Sequence, residues 1–160
     1  MLDINIDKTL ELILEEVSKL DNKGKNASYI PILAKQDPNI IGISIVDCNG
    51  NIYNKGDSDI KIPIESISKV FTLAMLLNKV DIDEVATKIG LKPSFLAFNS
   101  VMTITLTRDH KVNPFVNNGA IATTSLLRSF YGKKTKSKIL NYFNLLSNDK
   151  LTINKEVYVS

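Results

Sequence analysis

The chain has 160 residues, 44% hydrophobic and 23% charged, which fits one globular domain with a buried core and excludes a disordered or fibrous class. Its net charge is only +3, and of 20 basic residues only Arg108 and Arg128 are arginine, so the bidentate phosphate recognition of a nucleic-acid binder is not favoured. One cysteine, Cys48, and one histidine, His110, exclude an internal disulfide and leave no clustered metal-ligand spacing.

The first residues, Met1-Leu2-Asp3-Ile4-Asn5-Ile6-Asp7, are acidic and lack the basic start, apolar run and cleavage site of a secretory leader. A cytoplasmic protein without membrane contact is expected. Ile6, Leu10, Ile13, Leu14, Val17 and Leu20 recur at helical spacing and predict an amphipathic helix ended near Gly24. Its adjacent Glu15 and Glu16 point in different directions and make no catalytic pair. Tyr29-Ile30-Pro31-Ile32-Leu33-Ala34 is a short apolar segment before Asp37-Pro38. Ile40 to Val46, dense in β-branched residues, predicts a strand. Asp47-Cys48-Asn49-Gly50 supplies a turn, and Asn51 to Asn54 begins a return strand, with Cys48 as an unreactive residue at the tip.

After Pro63, Ser66 to about Val80 predicts a helix apolar on most sides and therefore buried, though Val70 to Leu77 is far too short to span a bilayer. Asp81 and Asp83 mark the start of another helix ending at Gly90. Asn113-Pro114 predicts a helix start, with Asn as N-cap and Pro at the first position, running to about Phe130. Lys133-Lys134-Thr135-Lys136 is read as a solvated turn before a last helix from about Lys136 to Leu146, and Leu151 to Val159 as extended.

Ser-x-x-Lys occurs three times, as Ser58/Lys61, Ser66/Lys69 and Ser147/Lys150. Only Ser66/Lys69 opens an apolar helix, where Ser66, Lys69, Val70, Leu73, Ala74 and Leu77 share one stripe. Burial lowers a lysine pKa and makes the neutral amine available as a base toward a serine one turn back. On this segment alone a second reading stands beside the first: Ser66 as an N-cap and Lys69 reaching outwards to solvent. A Ser-His-Asp arrangement finds no support, because His110 lies in the polar run Arg108-Asp109-His110-Lys111, read as a solvated turn.

Taken in order, several landmarks resemble those of the serine-dependent glutaminases. They are Tyr29-Ile30-Pro31-x-Leu33-Ala34, Asp37-Pro38, Ser66-Ile67-Ser68-Lys69-Val70-Phe71, Pro93-Ser94, Phe98-Asn99-Ser100 and Asn113-Pro114-x-x-Asn117-x-Gly119-Ala120-Ile121. The resemblance runs from about Tyr29 to Ser160. It implies an α/β (α+β) fold of the β-lactamase/transpeptidase type, truncated to its N-terminal half, with helices packed on an incomplete antiparallel sheet and one partial domain over residues 1–160. It also implies hydrolysis of L-glutamine to L-glutamate and ammonia, with no metal or organic cofactor. By the same resemblance Ser66 is the nucleophile, Lys69 its base, and Tyr29, Ser66 and Asn117 form the substrate site of a homo-oligomer, a homotetramer.

Read from the residues alone, Tyr29 is a partly buried aromatic, and Asn117 is a polar residue on the helix face of Ala120, Ile121 and Thr124. The chain departs from the family at Glu65, where glutamine is usual, at Lys92 and Phe95, where an acidic residue and a glycine flank Pro-Ser, and at Asn118, where alanine is usual. The family's further glutamate, asparagine and tyrosines lie beyond the point matching Ser160, and an isolated 160-residue chain is expected to be a poor enzyme. Two other readings stay open. One is a penicillin-binding or β-lactamase-type serine hydrolase, whose Ser-Asp-Asn and Lys-Thr-Gly elements do not occur here. The other is a catalytically silent fragment acting as an interaction module.

Overall fold

The computed structural model describes residues 5–21, 24–106, 109, 111–147 and 149–159. Arg108 and His110, on which the solvated-turn reading rests, lie outside the described residues, as do the first four residues and Ser160. The chain divides into two compact units, one running to Pro63 and including residues from Asn154 onward, the other Ile64–Ile153.

In the first unit, α1 (Ile6–Ser18) is opened by Asn5, whose Oδ1 accepts the Lys8 N–H at 3.0 Å. It ends earlier than Gly24, because Lys19 already turns its N–H to the carbonyls of Glu16 and Val17. Leu10 is the buried residue of this helix, which packs along β2 and adds a Lys55–Asp7 ion pair at 3.3 Å. A single turn, α2 (Pro31–Ala34), starts on a proline, whose fixed φ suits the first helical position.

Strands β1 (Gly42–Val46) and β2 (Ile52–Gly56) pair antiparallel, from Gly42 opposite Gly56 to Val46 opposite Ile52. The turn between them is organised by Asp47, whose carboxylate accepts the N–H groups of Asn49 and Asn51 and the Asn51 side-chain amide. Those donors, the Asn51 amide first, hold the Asp47 carboxyl below its ordinary range. Gly50 takes the positive φ, +86°, and Cys48 is exposed at the tip, as expected. Ile45, Val46 and Ile52 stay exposed on this hairpin. The expected extended segment at the end is instead α8 (Lys155–Val159), since Asn154 Oδ1 caps it by accepting from Glu156 and Val157 N–H.

The second unit is helical. A 3₁₀ turn at Glu65–Ile67 leads into α3 (Ser68–Leu77), followed by α4 (Ile82–Lys88), α5 (Met102–Leu106), α6 (Asn117–Tyr131), a 3₁₀ turn at Gly132–Lys134 and α7 (Thr135–Ser147). Met75, Leu76, Val85, Ile89, Leu126 and Leu127 form the core, with Leu76 and Leu127 fully buried. Phe71 of α3 meets Phe143 of α7 edge-on at 6.0 Å.

Two expectations need correction here. The segment Ser66 to Val80 is not uniformly buried: only Thr72, Met75 and Leu76 are, while Ile67, Val70 and Leu77 are exposed. Nor does α6 begin at Asn113-Pro114. Asn113 Oδ1 accepts the Phe115 N–H at 2.9 Å, so its side chain closes a turn two residues on instead of capping a helix. Val116, in an extended conformation, becomes the N-cap. Among the described residues no helix is long and apolar enough to cross a membrane.

Candidate functional site

Three of the sequence landmarks meet at Lys69, in the second residue of α3. Its Nζ donates to Asn117 Oδ1 at 2.7 Å and to the Phe115 carbonyl at 3.2 Å. It also lies 5.8 Å from the centre of the Phe98 ring. The sequence separation of 48 between Lys69 and Asn117 is bridged because α3 packs on α6, which brings the start of one helix to the start of the other.

One backbone bond and one side-chain bond hold that junction. The Asn117 N–H donates to the Phe98 carbonyl at 2.9 Å, and Asn118 Nδ2 donates to the Ser100 carbonyl at 3.0 Å. The Phe98-Asn99-Ser100 segment is thereby stitched to the first turn of α6. Gly119 is required in that turn: a Cβ there would strike the Asn113 carbonyl, so only a glycine lets the Asn113-Pro114 turn lie against the helix. Asn117 itself is half-buried, while Ile121 and Thr124, on the face it was expected to share, are exposed. The buried face of α6 is Gly119, Thr123, Leu126 and Leu127.

Ser66 lies in the 3₁₀ turn and not in α3, and it is exposed. Among the described residues its hydroxyl makes no hydrogen bond, and no bond joins it to Lys69. Glu65, immediately before it, takes a φ of +46°, the only positive φ among the described non-glycine residues. Burial pushes the Lys69 amine below the ordinary lysine range. Its two acceptors use two N–H groups, which a neutral amine can supply while keeping its lone pair. A serine hydroxyl and a lysine amine thus stand three residues apart along the chain.

The structure thus brings Lys69 and Asn117 together and sets Ser66 in the turn just before Lys69. Tyr29 belongs to the other unit and is 76% exposed, ahead of α2. Sequence reasoning missed Phe98 and the Phe115 carbonyl as neighbours of Lys69. Phe98 stood in a landmark without a role, and a backbone acceptor leaves no side-chain signal. Ser58 and Lys61 lie beyond β2, in the first unit. Among the described residues no group of three or more His, Cys, Asp or Glu side chains could hold a metal ion.

The family model described as Glutaminase matches residues 24–160. The chain is 44% identical over 140 residues to the glutaminase of Colwellia psychrerythraea, covering 88% of this chain and 45% of that protein. It is 42% identical over 136 residues to glutaminase 1 of Escherichia coli K12, covering 85% and 44%. With a glutaminase of Clostridium botulinum the identity is 36% over 157 residues, covering 97% and 52%. The chain spans about half the length of the curated relatives it matches. The solved structure of the probable glutaminase ybaS superposes with a TM-score of 0.90 at 38% identity, over 99% of this chain and 52% of that one. A Bacillus subtilis glutaminase complexed with 6-diazo-5-oxo-L-norleucine gives 0.80 at 21% identity over 99% and 48%, a likeness of fold alone.

Proposed function

The chain belongs to the glutaminase family and has its β-lactamase-like fold, and from that premise we propose that it serves the hydrolysis of L-glutamine to L-glutamate and ammonia. One observation carries the reading. The Lys69 amine, drawn toward neutrality by burial, is fixed by Asn117 and Phe115 directly after the turn that bears Ser66.

In this reading Ser66 Oγ attacks the side-chain amide carbon of glutamine while its proton passes to the neutral Lys69 amine. The backbone N–H of Ser66, in the 3₁₀ turn before α3, suits the negative oxygen that forms. The C–N bond breaks as the leaving nitrogen takes that proton back from the Lys69 ammonium, so ammonia departs and Ser66 carries the γ-carboxyl of glutamate as an ester. Water then cleaves the ester, releasing glutamate and restoring the hydroxyl. Asn117 accepts from Lys69 through Oδ1, which leaves its amide N–H groups for the substrate, and Tyr29 is assigned to the substrate site by the family resemblance alone. The reaction as written needs neither metal nor organic cofactor. Residues 1–160 are read as one partial glutaminase-like domain of a cytoplasmic homo-oligomer, a homotetramer, with no nucleic-acid or membrane partner.

The test is covalent labelling with an electrophilic glutamine analogue, followed by peptide mapping. Adduct on Ser66, lost in Lys69→Ala, supports the reading. Adduct on Ser58 or Ser147, or undiminished labelling of the Lys69 variant, overturns it.

A further inference from the structure

Resting on the reading of Ser66 as nucleophile, we infer that Ser68 is a positioning residue, holding the backbone turn that presents Ser66 through its hydroxyl bond to the Glu65 carbonyl. Ser68 Oγ donates to that carbonyl at 2.6 Å, and the Ser68 N–H points to the same oxygen. Both donors of one residue therefore converge on one acceptor. The Ser68 carbonyl is fixed in turn by Thr72, a buried residue of α3, whose Oγ1 donates to it at 2.7 Å. A ladder of two hydroxyls thus runs from the buried part of α3 to the peptide that precedes Ser66.

That peptide is where a clip has an effect. Glu65 takes a φ of +46°, a conformation that side-chain-bearing residues seldom adopt and that stores strain. Left to itself such a residue relaxes, and Ser66 moves with it. The Glu65 carbonyl belongs to the planar peptide that also carries the Ser66 N–H, and in a trans peptide the two groups point in opposite directions. Fixing the carbonyl therefore aims the Ser66 N–H and sets the direction in which the Ser66 side chain leaves the backbone. Ser68 does this through the backbone, and its bond is distinct from those of Lys69, which go to Asn117 and Phe115. The second of the two residues between Ser66 and Lys69 in this motif thereby gains a role beyond filling a helix position.

The experiment measures inactivation by 6-diazo-5-oxo-L-norleucine, separating reversible binding from the rate of bond formation, in the purified chain and in Ser68→Ala and Ser68→Thr. Ser68→Ala is expected to slow bond formation by about tenfold with binding unchanged, since a small misplacement of a nucleophile costs rate rather than affinity. Ser68→Thr, which keeps the hydroxyl, is expected to react within about threefold of the parent chain, as a hydrogen bond recovered restores most of the loss. Equal rates in the parent chain and Ser68→Ala, with Ser66 still the labelled residue, overturn the positioning role while leaving the nucleophile reading intact. No labelling of the parent chain at Ser66 removes both. Strain is read independently from thermal unfolding: Glu65→Gly should melt above Glu65→Ala by about 2–4 °C, because glycine alone adopts the positive φ freely. A Glu65→Gly variant that melts no higher than Glu65→Ala overturns the strained-turn argument.

Discussion

The hairpin of the first unit and the α3–α6 junction of the second are built from similar residues and differ in what they pack. β1 and β2 carry Ile45, Val46 and Ile52 exposed, and the turn between them is held by one carboxylate, Asp47. At the α3–α6 junction Leu76 and Leu127 are fully buried, and main-chain bonds tie a loop to a helix start. A base can be desolvated and aimed only in the second kind of setting, because a lone hairpin has too little packing to resist water. The candidate chemistry sits where the packing is.

The sharpest way to break that contrast is a pair of truncations. Leu76→Ala is expected to lose about 2–5 kcal/mol of stability, whereas Ile45→Ala on the hairpin should lose less than about 1 kcal/mol. Denaturant unfolding of both variants measures it, and similar losses would show that the two regions are packed alike. Next in size, Gly119→Ala forces a methyl against the Asn113 carbonyl and should cost about 1–3 kcal/mol, with the Lys69–Asn117 bond disturbed as well. Asn117→Ala should weaken glutamine binding by about 1–3 kcal/mol, read by calorimetry. Unchanged affinity would remove Asn117 from the substrate site.

The smallest expected effect is on pH. A lysine whose folded pKa lies below its unfolded value binds protons less well when folded, so its cost to stability is fully present below the folded pKa. That cost is relieved as pH rises from the folded to the unfolded value. Stability should therefore rise slightly with pH through that window in the parent chain, and the slope should vanish in Lys69→Met. The groups facing the amine are uncharged, namely the Asn117 amide, the Phe115 carbonyl and the Phe98 ring, so no neighbouring charge among them reverses the sign.

Much of the fold was legible because it rests on local signals. The apolar period of α1, the Asp-Cys-Asn-Gly turn and the body of α6 all appear where spacing and turn chemistry put them. Two of the misreadings share a cause, an asparagine side chain with two possible local uses. Asn113 closed a turn where a helix cap was expected, and Asn154 capped a helix where extended chain was expected. At the candidate site, the three-residue spacing and the apolar helix behind it singled out Ser66 and Lys69 but left two readings of the lysine, between which only the family resemblance chose. Asn117 was named only through the family resemblance, since its contact with Lys69, 48 positions away, has no local signature. The 3₁₀ geometry of Ser66 and the positive φ of Glu65 were not legible at all, because a glutamate gives no hint of a conformation that favours glycine.

The state of Lys69 decides whether the junction can supply a base. Isotope labelling of the lysine side chains, with the Lys69 signal assigned through Lys69→Met, allows its titration to be followed directly by NMR. A Lys69 pKa below that of the exposed lysines in the same spectrum, moving when Asn117 is replaced by alanine, is the expected result. A Lys69 that titrates with the exposed lysines or above them, indifferent to Asn117, would contradict the role given to it here.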